Sequence, residues 1–141
     1  MKEFQFWAVL SAAFAGITAV LAKKGVESVP PNLAVAVRVV VVCAFAIAIA
    51  IATKQTKVGA IESRAWMFLV LSGIATGLSW LCYFRALSLG PVAAVAPIDK
   101  LSFVVAIVLG LFFLHERLTW QLGVGASLIA AGVIVTLIPG T

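Results

Sequence analysis

The chain has 141 residues, 64% of them hydrophobic and only 11% charged. A soluble domain typically carries about 25% charged and about 45–50% apolar residues, so a water-soluble globule is excluded. The formal charge of +5 comes from cations at the ends of apolar runs and in short connections. This is how Lys and Arg flank membrane helices, so the anionic headgroup surface is the expected partner and nucleic acid is excluded.

Five apolar segments follow in chain order. The first, Phe4–Ala22, is closed by Lys23-Lys24-Gly25. It superficially resembles a secretory signal, but its run is too long and further spans follow, so it is read as a retained helix. The second, Leu33–Ala52, is preceded by "ESVPPN", in which Pro30 and Pro31 stop a helix from continuing across. The third, Ala65–Tyr83, opens on the interfacial aromatic Trp66. The fourth, Val92–Leu114, starts after "LGP", and the fifth, Trp120–Ile138, ends at "PGT". Runs of about 20 apolar residues cross a hydrocarbon layer roughly 30 Å thick. The expected fold is therefore an all-α integral membrane protein, with five transmembrane helices forming one domain over residues 1–141. Short connections make sequential helices antiparallel neighbours. No soluble domain, linker or internal repeat is expected.

Lipid is as apolar as these helices, so they must associate through close packing of small residues. Gly73 and Gly77 form a GxxxG in the third segment, Gly123, Ser127 and Ala131 recur four apart in the fifth, and Ala12 pairs with Gly16 in the first. These ridges are expected as helix contacts within the chain, or as a dimer interface. Cys43 and Cys82 both fall inside spans and are expected as buried free thiols.

Placed by topology, Lys2, Lys54, Lys57, Arg64 and Arg117 flank the N-terminal side, and Lys23, Lys24 and Arg85 the other. Arg38 and Lys100 lie within helices nearer that second face. Orientation is then nearly balanced, leaning to a cytoplasmic N-terminus. Dual topology, with the chain pairing head to tail with its own copy, is the alternative. A lone five-helix unit inserted both ways supplies both halves of an inverted-repeat transporter.

Ionisable residues inside spans are costly and mark functional sites by default. Arg38, Asp99 (the single aspartate) and Lys100 are such residues. At 1.5 Å per residue all three sit roughly 8–13 Å below the same face. Matching depth makes Arg38 a candidate partner for Asp99, whereas neighbours on a helix point about 100° apart, so Asp99 and Lys100 are expected to be poor partners for each other. Two readings remain open. In one, Asp99 pairs with Arg38 or a lysine as structural glue while Lys100 snorkels to the headgroups. In the other, Arg38, Asp99 and Lys100 line a polar cavity in which the carboxylate trades a proton for substrate. Pro97 lacks an N–H and is expected to kink the fourth helix beside these charges. Trp80, Tyr83, Arg85 and Lys23 are candidates for the mouth of the pathway, interfacial anchoring being the alternative. His115 is expected as a solvated loop residue. No metal cluster, nucleophile–base pair or phosphate loop occurs, so no enzyme activity, metal or cofactor is expected.

Residues 83–137, "YFRALSLGPVAAVAPIDKLSFVVAIVLGLFFLHERLTWQLGVGASLIAAGVIVTL", resemble the second half of an EamA domain. The likeness is to the drug/metabolite transporter superfamily, specifically its short five-helix bacterial and archaeal members. It rests on "APIDKLS" and on "HERLTWQ" followed by "LIAAGV"; "AVLAKKGV" and Arg38 extend it to the first two helices. The resemblance implies transport of small organic solutes by a chain equivalent to half of a ten-helix inverted-repeat transporter. It carries over Arg38, Asp99, Lys100 and the loop residue Glu116. His115 stands where glycine is commoner in the family's "GERL" form.

The expectation is thus a multi-pass protein of a bacterial or archaeal inner membrane. It works as a homodimer, in the antiparallel form, and moves a small solute by alternating access. One rival is a small flippase or multidrug exporter. The other is a non-transporting accessory subunit of a larger membrane complex.

Overall fold

The computed structural model describes residues 3–138, predominantly helical and with no strand among them. Helix α1 spans Glu3–Val26, α2 Pro31–Ala52, α3 Ser63–Leu89, α4 Val92–Asp99, α5 Ser102–Phe113 and α6 Trp120–Thr136. A 3-10 turn at Val58–Ala60 precedes α3. Lys2 and the Pro139-Gly140-Thr141 stop signal lie outside the described residues. Helices α1, α2, α3 and the run Val92–Phe113 are long and apolar enough to cross a membrane, while α6 has 17 residues. At 1.5 Å per residue α6 covers about 25 Å, the low end of what spans hydrocarbon. All-α membrane architecture follows directly from the apolar runs.

Two helices outrun their expected bounds. Helix α1 continues through Lys23 and Lys24, and α3 continues past Tyr83 to Leu89. Cations do not end a helix; in a last turn they complement the negative pole of its dipole. The effective stop for α3 is Gly90-Pro91, and α2 accepts Pro31 at its first position, where the missing N–H costs nothing.

The chain divides between Leu89 and Gly90 into two compact units. In the first, α3 packs against both α1 and α2, and α1 packs against α2. Its buried apolar residues are Ala19, Val26, Val35, Phe84 and Leu87. They come from the C-terminal half of α1, the start of α2 and the last turns of α3, so this core sits at one end of the unit. Lys23 Nζ donates to the Leu87 carbonyl at 2.8 Å at the same end. The last four carbonyls of any helix lack an intrahelical partner, and Leu87 is fully buried. An ammonium there satisfies the acceptor and complements the dipole.

Helix α2 closes with a left-handed residue that is not glycine. Lys54 has φ 56, its N–H donates to Ile51 O at 3.0 Å, and Gln55 N–H donates to Ala50 O at 2.9 Å. This pair of bonds is the Schellman closure.

In the second unit, α6 packs against α4 and α5. Val133 and Gly110 are its buried residues among those described. After α5 the chain turns at His115, with φ 54. Leu114 and Glu116 N–H groups both donate to Gly110 O, at 3.0 and 3.2 Å. Glu116 Oε2 lies 3.0 Å from where a Cβ on Gly110 would stand. Glycine at position 110 leaves room for the Glu116 carboxylate to fold back over the helix; a larger residue would make that carboxylate shift by a few tenths of an ångström. Thr119 then caps α6, its Oγ1 accepting from Leu122 N–H at 3.3 Å.

Within each unit the glycines of the small-residue ridges mark no close approach among the described residues. A Cβ added at Gly16, Gly73, Gly77 or Gly123 would meet nothing within 4 Å among the described residues. The first unit closes at the other end of α3, away from Gly73, so its helices never need glycine to approach. Ser127 Oγ donates to Gly123 O at 2.9 Å, spending its hydroxyl inside its own helix. Cys43 and Cys82 are free but exposed rather than buried, because the spans turn most of their surface outward.

Two stability outcomes follow. Left-handed backbone costs a non-glycine residue roughly 1–2 kcal/mol, and glycine loses roughly 0.5–1 kcal/mol of chain entropy, so Lys54→Gly and His115→Gly should each stabilise by about 0.5–1 kcal/mol. Thermal unfolding in detergent reads this; a lowered midpoint for both variants would refute the assignment of left-handed caps. Lys23→Met should cost about 1–2 kcal/mol through the orphaned Leu87 carbonyl. The exposed Lys24, 3.1 Å from Glu27, should matter little: Lys24→Met should change stability by less than about 0.5 kcal/mol. Equal effects of the two lysine variants would remove the capping role.

Candidate functional site

Arg38 lies on α2, seven residues from its start, so about 10 Å along the helix axis. Its guanidinium carbon stands 4.4 Å from the centroid of Trp80 and 5.5 Å from that of Phe84. Trp80 and Phe84 are four apart on α3 and therefore share one face. Phe84 is buried in the core of the first unit, whereas Arg38 and Trp80 are half-buried. Arg38 thus lies along an aromatic wall whose base is the packed end of the unit. A cation over an aromatic face gains about 0.5–1 kcal/mol at exposed sites and about 2 or more when desolvated. Tyr83, also half-buried, meets Phe84 edge-on at 6.4 Å. The sequence reading named Trp80 and Tyr83 but missed Phe84. The four-residue spacing from Trp80, opposite an arginine of similar depth, was the available signal.

In the second unit the fourth span is broken at its charges. Helix α4 passes through Pro97 and ends at Asp99; α5 begins at Ser102. The interruption lies at Lys100–Leu101, three residues beyond Pro97. Lys100 has φ −69 and ψ −9, and Leu101 has φ −63 and ψ −19. Backbone N–H groups here reach back three residues: Lys100 to Pro97 O, Leu101 to Ile98 O, Phe103 to Lys100 O and Val104 to Leu101 O, at 3.0–3.2 Å. This is 3-10 geometry inside a span, which often marks a hinge.

The break changes the partnership of the two charges. Lys100 Nζ lies 3.4 Å from Asp99 Oδ2, so they meet each other, against the expectation that they diverge. That expectation assumed an unbroken helix; here the helix ends between them and the lysine stem swings back. The contact is long compared with the 2.7–2.9 Å usual for charge-assisted bonds, and both side chains stay open to their surroundings. The helix dipoles stabilise both charges where they stand. Lys100 stands at the negative end of the α4 dipole, and Asp99 just ahead of the positive end of α5.

Other candidates fall in different settings. Lys23 has its ammonium on the Leu87 carbonyl, and Arg85 is exposed on α3. Arg64, on the first turn of α3, stands 6.0 Å over Phe68. A shallow cavity of about 320 Å³ lies in the α2–α3 connection, lined by Lys54, Gln55, Lys57, Val58 and Ile61. No group of three or more His, Cys, Asp or Glu residues able to hold a metal occurs among the described residues.

Comparison with known proteins agrees with this architecture. The EamA-like transporter family matches residues 4–138. A Sinorhizobium protein named "Uncharacterized transporter in cobO 3'region" is 49% identical over 135 residues, covering 95% of this chain and 96% of its own. An Enterobacter protein (strain 638) is named "Probable 4-amino-4-deoxy-L-arabinose-phosphoundecaprenol flippase subunit ArnE". It is 30% identical over 82 residues, covering 58% of this chain and 77% of its own. No solved structure matches significantly. With the family matched along nearly its whole length and a transporter-named relative aligned end to end, this multi-pass membrane protein belongs to the EamA-like transporter family.

Proposed function

We propose that the chain is a secondary carrier of small organic solutes, working by alternating access as a homodimer in the inner membrane. The observation that carries this reading is the break in the fourth span at Asp99 and Lys100. Irregular backbone at membrane depth is tolerated where it meets protein or lines a water-filled cavity. Discontinuous helices with charges at their inner ends are how many carriers build a site near the midplane. In this reading Asp99 exchanges a proton or solute at the break of the second unit, with Lys100 as its resting counter-ion; in the first unit Arg38 beside Trp80 is a separate polar contact point. Tyr83 and Arg85 line the mouth.

The homodimer rests on two observations. Five spans amount to half of an inverted-repeat carrier, and a cation count that balances once the embedded Arg38 and Lys100 are included lets one chain insert both ways. The Gly73–Gly77 and Gly123–Ser127 ridges, whose glycines have open space beside them among the described residues, are the candidate interface. A flippase reading is favoured by one observation, the name of the Enterobacter relative as a flippase subunit. In that reading the carried solute is the headgroup of a lipid-linked compound and the dimer partner is another subunit.

Two measurements test this. In proteoliposomes loaded with amino acids, organic anions or cationic dyes, the protein should support counterflow of at least one class. Asp99→Asn should fold normally and reduce that counterflow to the rate of empty vesicles; undiminished flux would remove Asp99 from the mechanism. Reporters fused to the C-terminus should give signal on both sides of the membrane. Signal from one side alone would replace the antiparallel dimer with a parallel dimer or a partner chain.

A further inference from the structure

Among the described residues Arg38 makes two ring contacts, with Trp80 and Phe84, and no hydrogen bond or ion pair. A guanidinium carries five N–H donors in a rigid fork and never loses its charge. These ring contacts are not hydrogen bonds, so the N–H donors keep their capacity for an acceptor. Within the first unit the described carboxylates are Glu3, Glu27 and Glu62. Glu27 is engaged by Lys24, and Glu3 and Glu62 belong to the opposite end, at the starts of α1 and α3. Inside a membrane, donors left in this state are costly unless an acceptor arrives.

The donors are also reachable. No buried side-chain nitrogen in a non-exposed residue lacks a partner among the described residues, so the unbonded Arg38 nitrogens are open to the outside. Nor does the side chain climb toward the headgroups. It lies nearer Trp80 than Phe84, and Trp80 is one turn deeper along α3. Packing against the rings removes rotamers before any ligand binds, which lowers the entropic cost of binding.

We propose that Arg38 is an anion-recognising element, taking a carboxylate or phosphate group on the N–H donors of its guanidinium, with the Trp80 ring beside it. Planar, two-point recognition of such groups is what the fork geometry favours. The ligand class is therefore an organic anion, either a free solute or the headgroup of an anionic lipid. This deepens the carrier reading above and rests on it only for the purpose of binding, not for binding itself.

Trp80 is a built-in reporter. With Trp7, Trp66 and Trp120 replaced by Phe, the protein in detergent is titrated with sodium benzoate, inorganic phosphate and tetraethylammonium. A saturable change in Trp80 emission is expected with benzoate or phosphate and not with tetraethylammonium. Arg38→Gln should weaken that response about 10- to 100-fold, the usual loss of a charged hydrogen-bond donor, and Arg38→Lys should restore part of it. In nanodiscs, a change that needs phosphatidylglycerol over phosphatidylcholine, without response to the free anions, supports the same site with a headgroup as its source. A response to tetraethylammonium alone overturns the proposal, and needs no variant. So does the absence of any anion response in detergent and nanodiscs, or an undiminished response in folded Arg38→Gln. Anion binding without counterflow would keep this inference and remove the carrier reading; counterflow of cationic dyes without anion binding would do the reverse.

Discussion

A cation carried below the headgroups must be compensated where it stands, and this chain answers that demand in three ways. Lys23 puts its ammonium on a helix-end carbonyl that would otherwise be orphaned. Arg38 spreads its guanidinium over the faces of Trp80 and Phe84. Lys100 turns back toward Asp99 where the helix between them ends. The three solutions differ in how completely they quench the charge. The carbonyl and the dipole hold Lys23 in place; the rings beside Arg38 leave its N–H donors without an acceptor among the described residues; the 3.4 Å pair at the break is loose. The three cations are ordered along that gradient, from the tightly held Lys23 to the incompletely held Arg38 and Lys100.

Much of the fold was legible because composition in a membrane is nearly deterministic. An apolar run can hide its backbone polar groups as a helix without help from any other segment, so the existence and order of the spans follow from hydropathy alone. What escaped were features set by polar groups inside or beside the spans. Lys23 and Lys24 looked like a terminus because cations flank membrane helices, yet the helix continued and used one of them. Pro97 drew the eye as a kink, while the tightened backbone fell at Lys100 and Leu101, residues with no breaker signature. Lys54 and His115 occupy conformations usually advertised by glycine, so neither showed as a cap; the glycine of the related "GERL" form was the one hint at position 115.

The candidate site was legible in part for the same reason. Ionisable residues within apolar runs are conspicuous, so Arg38, Asp99 and Lys100 could be named at once. Their partners could not, since depth along a helix is readable from a chain but rotation about it and side-chain reach are not. The aromatic wall beside Arg38 needed α3 to extend past Tyr83 and to face α2, and both facts belong to packing.

The position of the first unit's core has a consequence for Arg38. Ala19, Val26, Val35, Phe84 and Leu87 cluster at one end, fastened by the Lys23 strut, while the opposite ends of α1, α2 and α3 show large exposed side chains such as Phe6, Ile49 and Phe68. The three helices of the first unit therefore share their buried contacts at one end, where Lys23 also ties α1 to α3. Arg38 and Trp80 lie just inside that end. The aromatic rest for the guanidinium is thus founded on Phe84, one of the buried residues of that packed end.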